Sequence, residues 1–155
     1  MKIVAKEDIE APIADVFDRV TDFRSFERSA IRRGAEVTRK DRPAVTGAGA
    51  AWDVRFDLRG KRRDIGLEVT EFDAPERMVM KLRSEGMKGG VLVDLVALSR
   101  TRTRIRIETE IKPKTLSARL LIQSLRLARG TIEKRVAERM AEFAASIEGK
   151  PRSPG

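Results

Sequence analysis

The stretch Trp52-Asp-Val-Arg-Phe-Asp-Leu-Arg59 decides the fold. Trp52, Val54, Phe56 and Leu58 alternate with Asp53, Arg55, Asp57 and Arg59 without interruption. A two-residue period puts the four apolar side chains on one face of a strand and the four charged ones on the other. The same period returns in Met78, Met80 and Leu82, and again in Ile105, Ile107, Thr109 and Ile111. Working outward, strands are predicted near residues 50–59, 62–73, 77–85, 90–98 and 103–112. Short turns at Gly60, Ala74-Pro75, Gly86 to Gly89 and Arg100-Thr101 separate them. This is the pattern of an antiparallel meander with one wet face and one apolar face.

Upstream, Ile3, Ala5 and Ile9 alternate over about residues 2–10 and predict a first strand. Pro12 stands where the first turn of a helix tolerates it, and Ile13, Val16, Phe17 and Val20 follow at helical spacing. Asp22 is placed to cap a second short helix carrying Phe23 and Phe26. Ala35 and Val37 begin a second strand, and Asp41 to Gly49 is a loop by its proline and glycine content. The pair Gly47-x-Gly49 lacks the preceding strand and following helix of a dinucleotide fingerprint. It reads as backbone freedom at a turn. From about Leu116 to Ile147 the pattern is helical throughout, one rod of roughly 30 residues and about 45 Å. Residues 1–148 are expected to form one domain, with 149–155 a disordered tail.

Composition narrows the chemistry. The 155-residue chain has no cysteine, histidine, tyrosine or asparagine. That removes thiolate nucleophiles, disulfides, the commonest general base and the commonest transition-metal ligand. No metal site and no cofactor are expected. The net charge of +9 favours anionic partners, yet charged residues make up 37% of the chain and the signs are mixed along the strands. The basic runs Arg59–Arg63 and Arg100–Arg106 read as solvated hairpin turns. They lack the interleaved aromatics that stack on single-stranded nucleic acid, so nucleic acid is not the expected partner. The first ten residues are rich in charge with no apolar signal core, and no run approaches the roughly 20 apolar residues of a membrane span. The expected location is cytoplasmic.

Three segments carry a resemblance: Glu10-Ala-Pro-Ile-Ala-Asp-Val-Phe17 with Asp22-Phe23, Gly47-Ala-Gly-Ala-Ala-Trp52, and Glu68-Val-Thr-Glu-Phe-Asp-Ala-Pro-Glu-Arg77. With the hairpin at Ser99–Thr103 before a terminal helix, they resemble the START and birch-pollen-allergen (SRPBCC) superfamily, nearest its polyketide cyclase/dehydrase-like members. The resemblance covers nearly the whole chain. It implies an α+β helix-grip fold: a curved seven-stranded antiparallel sheet around a long C-terminal helix, two short helices between strands 1 and 2, and a ligand cavity between sheet and terminal helix. Members bind lipids, sterols, quinones, polyketides or plant hormones, and a minority are enzymes. This chain lacks the histidine, tyrosine and asparagine on which many catalytic members rely.

Strand parity and helical phase then nominate the cavity lining: Phe23, Trp52, Val54, Phe56, Leu67, Met78, Met80, Leu82 and Val93, with Leu121, Leu125, Ala128 and Ile132 from the helix. The helix half from Val136 to Ile147 is read as plain core, and the small Ala128 and Gly130 as room or close backbone approach. Glu7, Arg39 and Thr109 share inward parity on strands the helix-grip topology makes neighbours, so they are candidate polar anchors. Glu7 is also the one candidate general base. A strand-end salt bridge is the structural alternative for these three. Leu116, Leu120 and Leu127 form a second stripe opposite the main helix face, flanked by Arg119 and Arg126. It would touch an anionic membrane during lipid exchange, form a homodimer contact, or pack under loops. Three functional classes follow: a carrier or sensor for an apolar small molecule, a cyclase/dehydrase-type enzyme, and a basic-surface module for RNA or protein.

Overall fold

The computed structural model describes residues 1–149, so all of the expected tail but Gly149 lies outside the described residues. The elements run β1 (Lys2–Ile9), α1 (Ile13–Val20), α2 (Phe23–Arg32), β2 (Glu36–Arg39), β3 (Ala51–Leu58), β4 (Lys61–Asp73), β5 (Arg77–Ser84), β6 (Met87–Ser99), β7 (Arg102–Pro113), α3 (Leu116–Leu127) and α4 (Arg129–Glu148). The seven strands form one antiparallel sheet in the order β1-β7-β6-β5-β4-β3-β2. This is the helix-grip architecture, with the two short helices between the first two strands.

Local chemistry accounts for the elements. Asp22 Oδ1 accepts a hydrogen bond from the Ser25 amide at 3.3 Å and starts α2. Thr115 caps α3 in the same way through Ala118. Gly60 and Gly86 adopt positive φ in the tight β3–β4 and β5–β6 turns. A register shift between Val69 and Glu71 bends β4, which helps the sheet curve.

The helices fill only part of the concave face. Val16 and Phe17 of α1 and Met140 and Ala144 of α4 are buried with Ile9, Leu95 and Ile105 of the sheet. Val136, Phe143 and Ile147 pack against that cluster, so this half is core. α4 lies along β1 and is tied to it at both ends. Arg129 Nη2 donates to the Lys2 carbonyl at 2.8 Å, and the Glu10 amide donates to Glu148 Oε2 at 2.7 Å.

One prediction needs correction. The terminal helix is not a single rod but breaks at Ala128, where φ is −98° and ψ is 13°. The Ala128 amide bonds three residues back, to the Leu125 carbonyl, instead of four. α3 buries Ala118, Leu121 and Ile122 near the β5–β6 turn, whereas α4 follows β1. Two docking surfaces in different directions cannot be served by one straight helix.

Candidate functional site

What the core leaves open is an apolar cavity of about 330 Å³ between α2 and the concave face of the sheet. Its roof is Phe23, Phe26, Glu27 and Ala30 of α2, joined by Val20 from the end of α1. The floor is Val37, Trp52, Val54, Leu67, Met78, Met80, Val91, Val93 and Ile107, one or two residues from each strand between β2 and β7. Helical spacing explains the roof: positions 23, 26, 27 and 30 fall at i, i+3, i+4 and i+7. Strand parity explains the floor.

Seven of the nominated lining residues meet here: Phe23, Trp52, Val54, Leu67, Met78, Met80 and Val93. Phe56 and Leu82 are half-buried at inward positions but lie outside the wall. The four helix candidates do not reach it. Leu121 is buried with Ala118 and Ile122, while Leu125, Ala128 and Ile132 are only half-buried. The break at Ala128 turns α3 aside, and α2 takes the covering position expected of the terminal helix. Gly130 faces open space, with nothing within 4 Å of where a Cβ would stand, so it permits no close approach.

The polar anchor of three residues is not assembled either. β1 and β2 are opposite edges of the sheet, so Arg39 is remote from Glu7. Glu7 pairs with Ile105 and Thr109 with Ile3, four residues apart along the strands, or about 13 Å. Glu7 sits between sheet and α4, outside the cavity wall. Burial, then the nearby Glu148 and Asp8 carboxylates, raise its pKa from the usual 4.5.

Arg39 instead belongs to a network at the roof. Its Nε and Nη2 make a two-pronged contact with Asp41, at 2.6 and 3.1 Å. That hydrogen bonding, with the Val45 and Ala51 amides, holds the Asp41 carboxyl well below the usual carboxylate range. The guanidinium lies 4.8 Å from the Trp52 ring centroid and 5.8 Å from that of Phe23. Phe23 meets Trp52 edge-on, with centroids 5.0 Å apart. Glu27 Oε1 accepts from Trp52 Nε1 at 3.1 Å and lies 3.6 Å from Arg39 Nη1. Glu27 was not found from the sequence, although its i+4 spacing from Phe23 was the signal. Among the described residues no three His, Cys, Asp or Glu side chains form a metal-ligand set.

Comparison with known proteins now bears on this geometry. The family model for "polyketide cyclase / dehydrase and lipid transport" matches residues 1–148. The chain belongs to that family. Membership brings a fold that binds hydrophobic ligands. No curated protein matches the chain in sequence. Among solved structures, it is similar to TTHA0849 from Thermus thermophilus (14% identity, TM-score 0.67, covering 95% of this chain and 97% of that one). It is similar to the Zhui aromatase/cyclase from Streptomyces sp. R1128 (10% identity, TM-score 0.67, 100% and 98%). A third is norcoclaurine synthase from Thalictrum flavum in complex with dopamine and hydroxybenzaldehyde (12% identity, TM-score 0.65, 99% and 89%). At these identities the family member shares their fold, and the likeness reaches no further.

Proposed function

We propose that this family member is a carrier or sensor that holds an apolar small molecule between α2 and the sheet. The observation that carries the reading is the wall itself. Of its 14 residues only Glu27 is ionisable, and its carboxylate is engaged by Trp52 and Arg39. Hydrocarbon burial supplies about 25 cal/mol per Å² without directional chemistry, which suits such a lining. A cyclase or dehydratase needs a free proton-transferring group at the wall; Glu7 lies elsewhere, and the Glu27 carboxylate in the wall is held by Trp52 and Arg39. Trp52 is the only tryptophan and forms part of the wall. A titration with dodecan-1-ol should therefore change its emission saturably, and native mass spectrometry should show a one-to-one complex. No saturable change and no retained mass would remove the reading.

The carrier is further proposed to dock on an anionic membrane through α3. Leu116, Leu120 and Leu127 are 74%, 59% and 93% exposed, while the opposite face of the same helix is buried. A helix apolar on both sides calls for cover on both sides. Charge argues for what supplies it. α3 contains Arg119 and Arg126 and no acidic residue, so stacking two copies face to face would oppose like charges. Close to its first turn, by the β5–β6 hairpin, Lys81, Arg83, Lys88 and Lys114 edge a depression on the convex face together with Glu108, Glu110 and Lys112. The two acids are paired with Lys2, Arg106 and Lys112, while the other four cations form no salt bridge among the described residues. Anionic headgroups satisfy both features. The protein should pellet with vesicles containing phosphatidylglycerol at low salt. Leu120→Glu with Leu127→Glu should abolish this, and each arginine-to-glutamine change should weaken it about fivefold. Absence of pelleting, or a dimer dissolved by the leucine changes, would overturn the docking.

A further inference from the structure

Among the described residues, a half-buried arginine on the concave side of the sheet is left without a counter-charge. Arg63 of β4 pairs in register with Phe56. It has the parity of Leu67, which forms part of the cavity floor, and lies one inward position beyond the Val54–Ile65 pair. One such step is about 7 Å of strand, within the reach of a long side chain. Arg63 is half-buried, and its Nε is buried with no hydrogen-bond partner among the described residues.

Its surroundings make this unusual. The outward arginines beside it are matched to acids: Arg62 to Glu36 and Asp57, and Arg55 to Asp64 and Glu36. Arg63 has no salt bridge among the described residues, although its strand carries Asp64 on the other face. A buried donor without a partner is costly, and more so when it is charged. The adjoining inward side chains of the sheet, Phe56 and Ile65, offer no acceptor. Arg63's register partner Phe56 lines a depression with Phe26, Ala30, Arg33 and Asp57 that meets the cavity at its roof, since Phe26 and Ala30 belong to both; Arg63 itself stands beside this path and not in either wall.

We infer that Arg63 receives the anionic head of the cargo, a carboxylate or phosphate monoester, while the hydrocarbon tail occupies the cavity. This rests on the carrier reading and narrows its ligand to amphiphiles with a negative head. A planar guanidinium presents paired N–H groups to either anion. The Nε that lacks a protein partner becomes satisfied when the ligand arrives. Arg63 thus acts as a specificity determinant.

The test compares dodecanoate and dodecyl phosphate with dodecan-1-ol by Trp52 emission on the whole protein. The anions should bind at least tenfold more tightly than the alcohol. Arg63→Met should erase that margin and leave the alcohol affinity within twofold, and Arg63→Lys should restore part of it. Equal binding of anions and alcohol by the native protein, or an unchanged margin in Arg63→Met, would overturn the head-group proposal alone. Binding of none of the three would overturn the carrier reading together with it.

Discussion

Trp52 Nε1 donates a 3.1 Å hydrogen bond to Glu27 Oε1, so the roof helix α2 is fastened to the floor strand β3 by one indole and one carboxylate. Arg39 reinforces the link from 3.6 Å. Removing the carboxylate leaves a half-buried indole N–H without its acceptor. Glu27→Ala should cost about 1–2 kcal/mol in urea denaturation. It should also shift Trp52 emission to the red as water reaches the ring, whereas Glu27→Gln, which keeps an acceptor, should do less of both.

Filling the cavity should separate binding from folding. Val93→Phe places a ring in a void of about 330 Å³. Overpacking is costly where there is no room, but here there is room, so stability should change by less than about 1.5 kcal/mol. Dodecanol affinity should fall at least tenfold in the Trp52 titration. A folded Val93→Phe protein that binds normally would place the ligand elsewhere.

The pH response carries two opposite signs. Glu7 has a raised pKa when folded, so the native state binds its proton more tightly than the unfolded chain does. Its favourable contribution is complete below about pH 4.5 and is lost as pH rises through the raised value. Glu7→Gln should therefore be more stable than the native protein near pH 7, with the gain vanishing below about pH 4. Asp41 behaves in reverse. Arg39 lowers its pKa, so its contribution is present above about pH 3.8 and lost as pH falls through the lowered value. Asp41→Asn should be destabilised near pH 7, and the gap should narrow in strong acid. Chemical denaturation across pH reads both.

Two glycines make a contrasting pair. A Cβ on Gly89 would stand 2.2 Å from the Glu110 carbonyl oxygen, which is backbone in the adjoining strand. Gly89→Ala should force β6 and β7 apart and cost about 3 kcal/mol or more, read as a lowered melting temperature. Gly130→Ala meets nothing within 4 Å in α4 and should gain about 0.5 kcal/mol from helix propensity and a less flexible unfolded chain.

The meander was legible because a half-buried strand writes its burial into every second residue. Trp52 to Leu58 reads off directly, and the floor of the cavity with it. The roof was harder. Phe23 and Phe26 marked α2 as amphipathic, but Glu27 on the same face looked like an ordinary surface acid until Trp52 was brought beside it from 25 positions away. The break at Ala128 leaves no trace in the pattern. Leu121, Leu125, Ile132 and Val136 keep one helical phase across it, and the nearest helix-weakening residue, Gly130, stands two positions further on inside α4. Only the separate surfaces that receive α3 and α4 demand it. The remoteness of Arg39 from Glu7 is likewise a property of sheet order, which strand parity does not contain.

The two ties between α4 and β1 set a ruler inside the molecule. From Arg129 to Glu148 is 19 helical steps at about 1.5 Å, and from Lys2 to Glu10 is eight extended steps at about 3.4 Å, so each path is roughly 27–29 Å. Neither can be lengthened by a turn or a pleat without unfastening one end. β1 thus stays unfastened at one end until the last turn of α4 is in place, and this domain closes only once synthesis has passed Glu148.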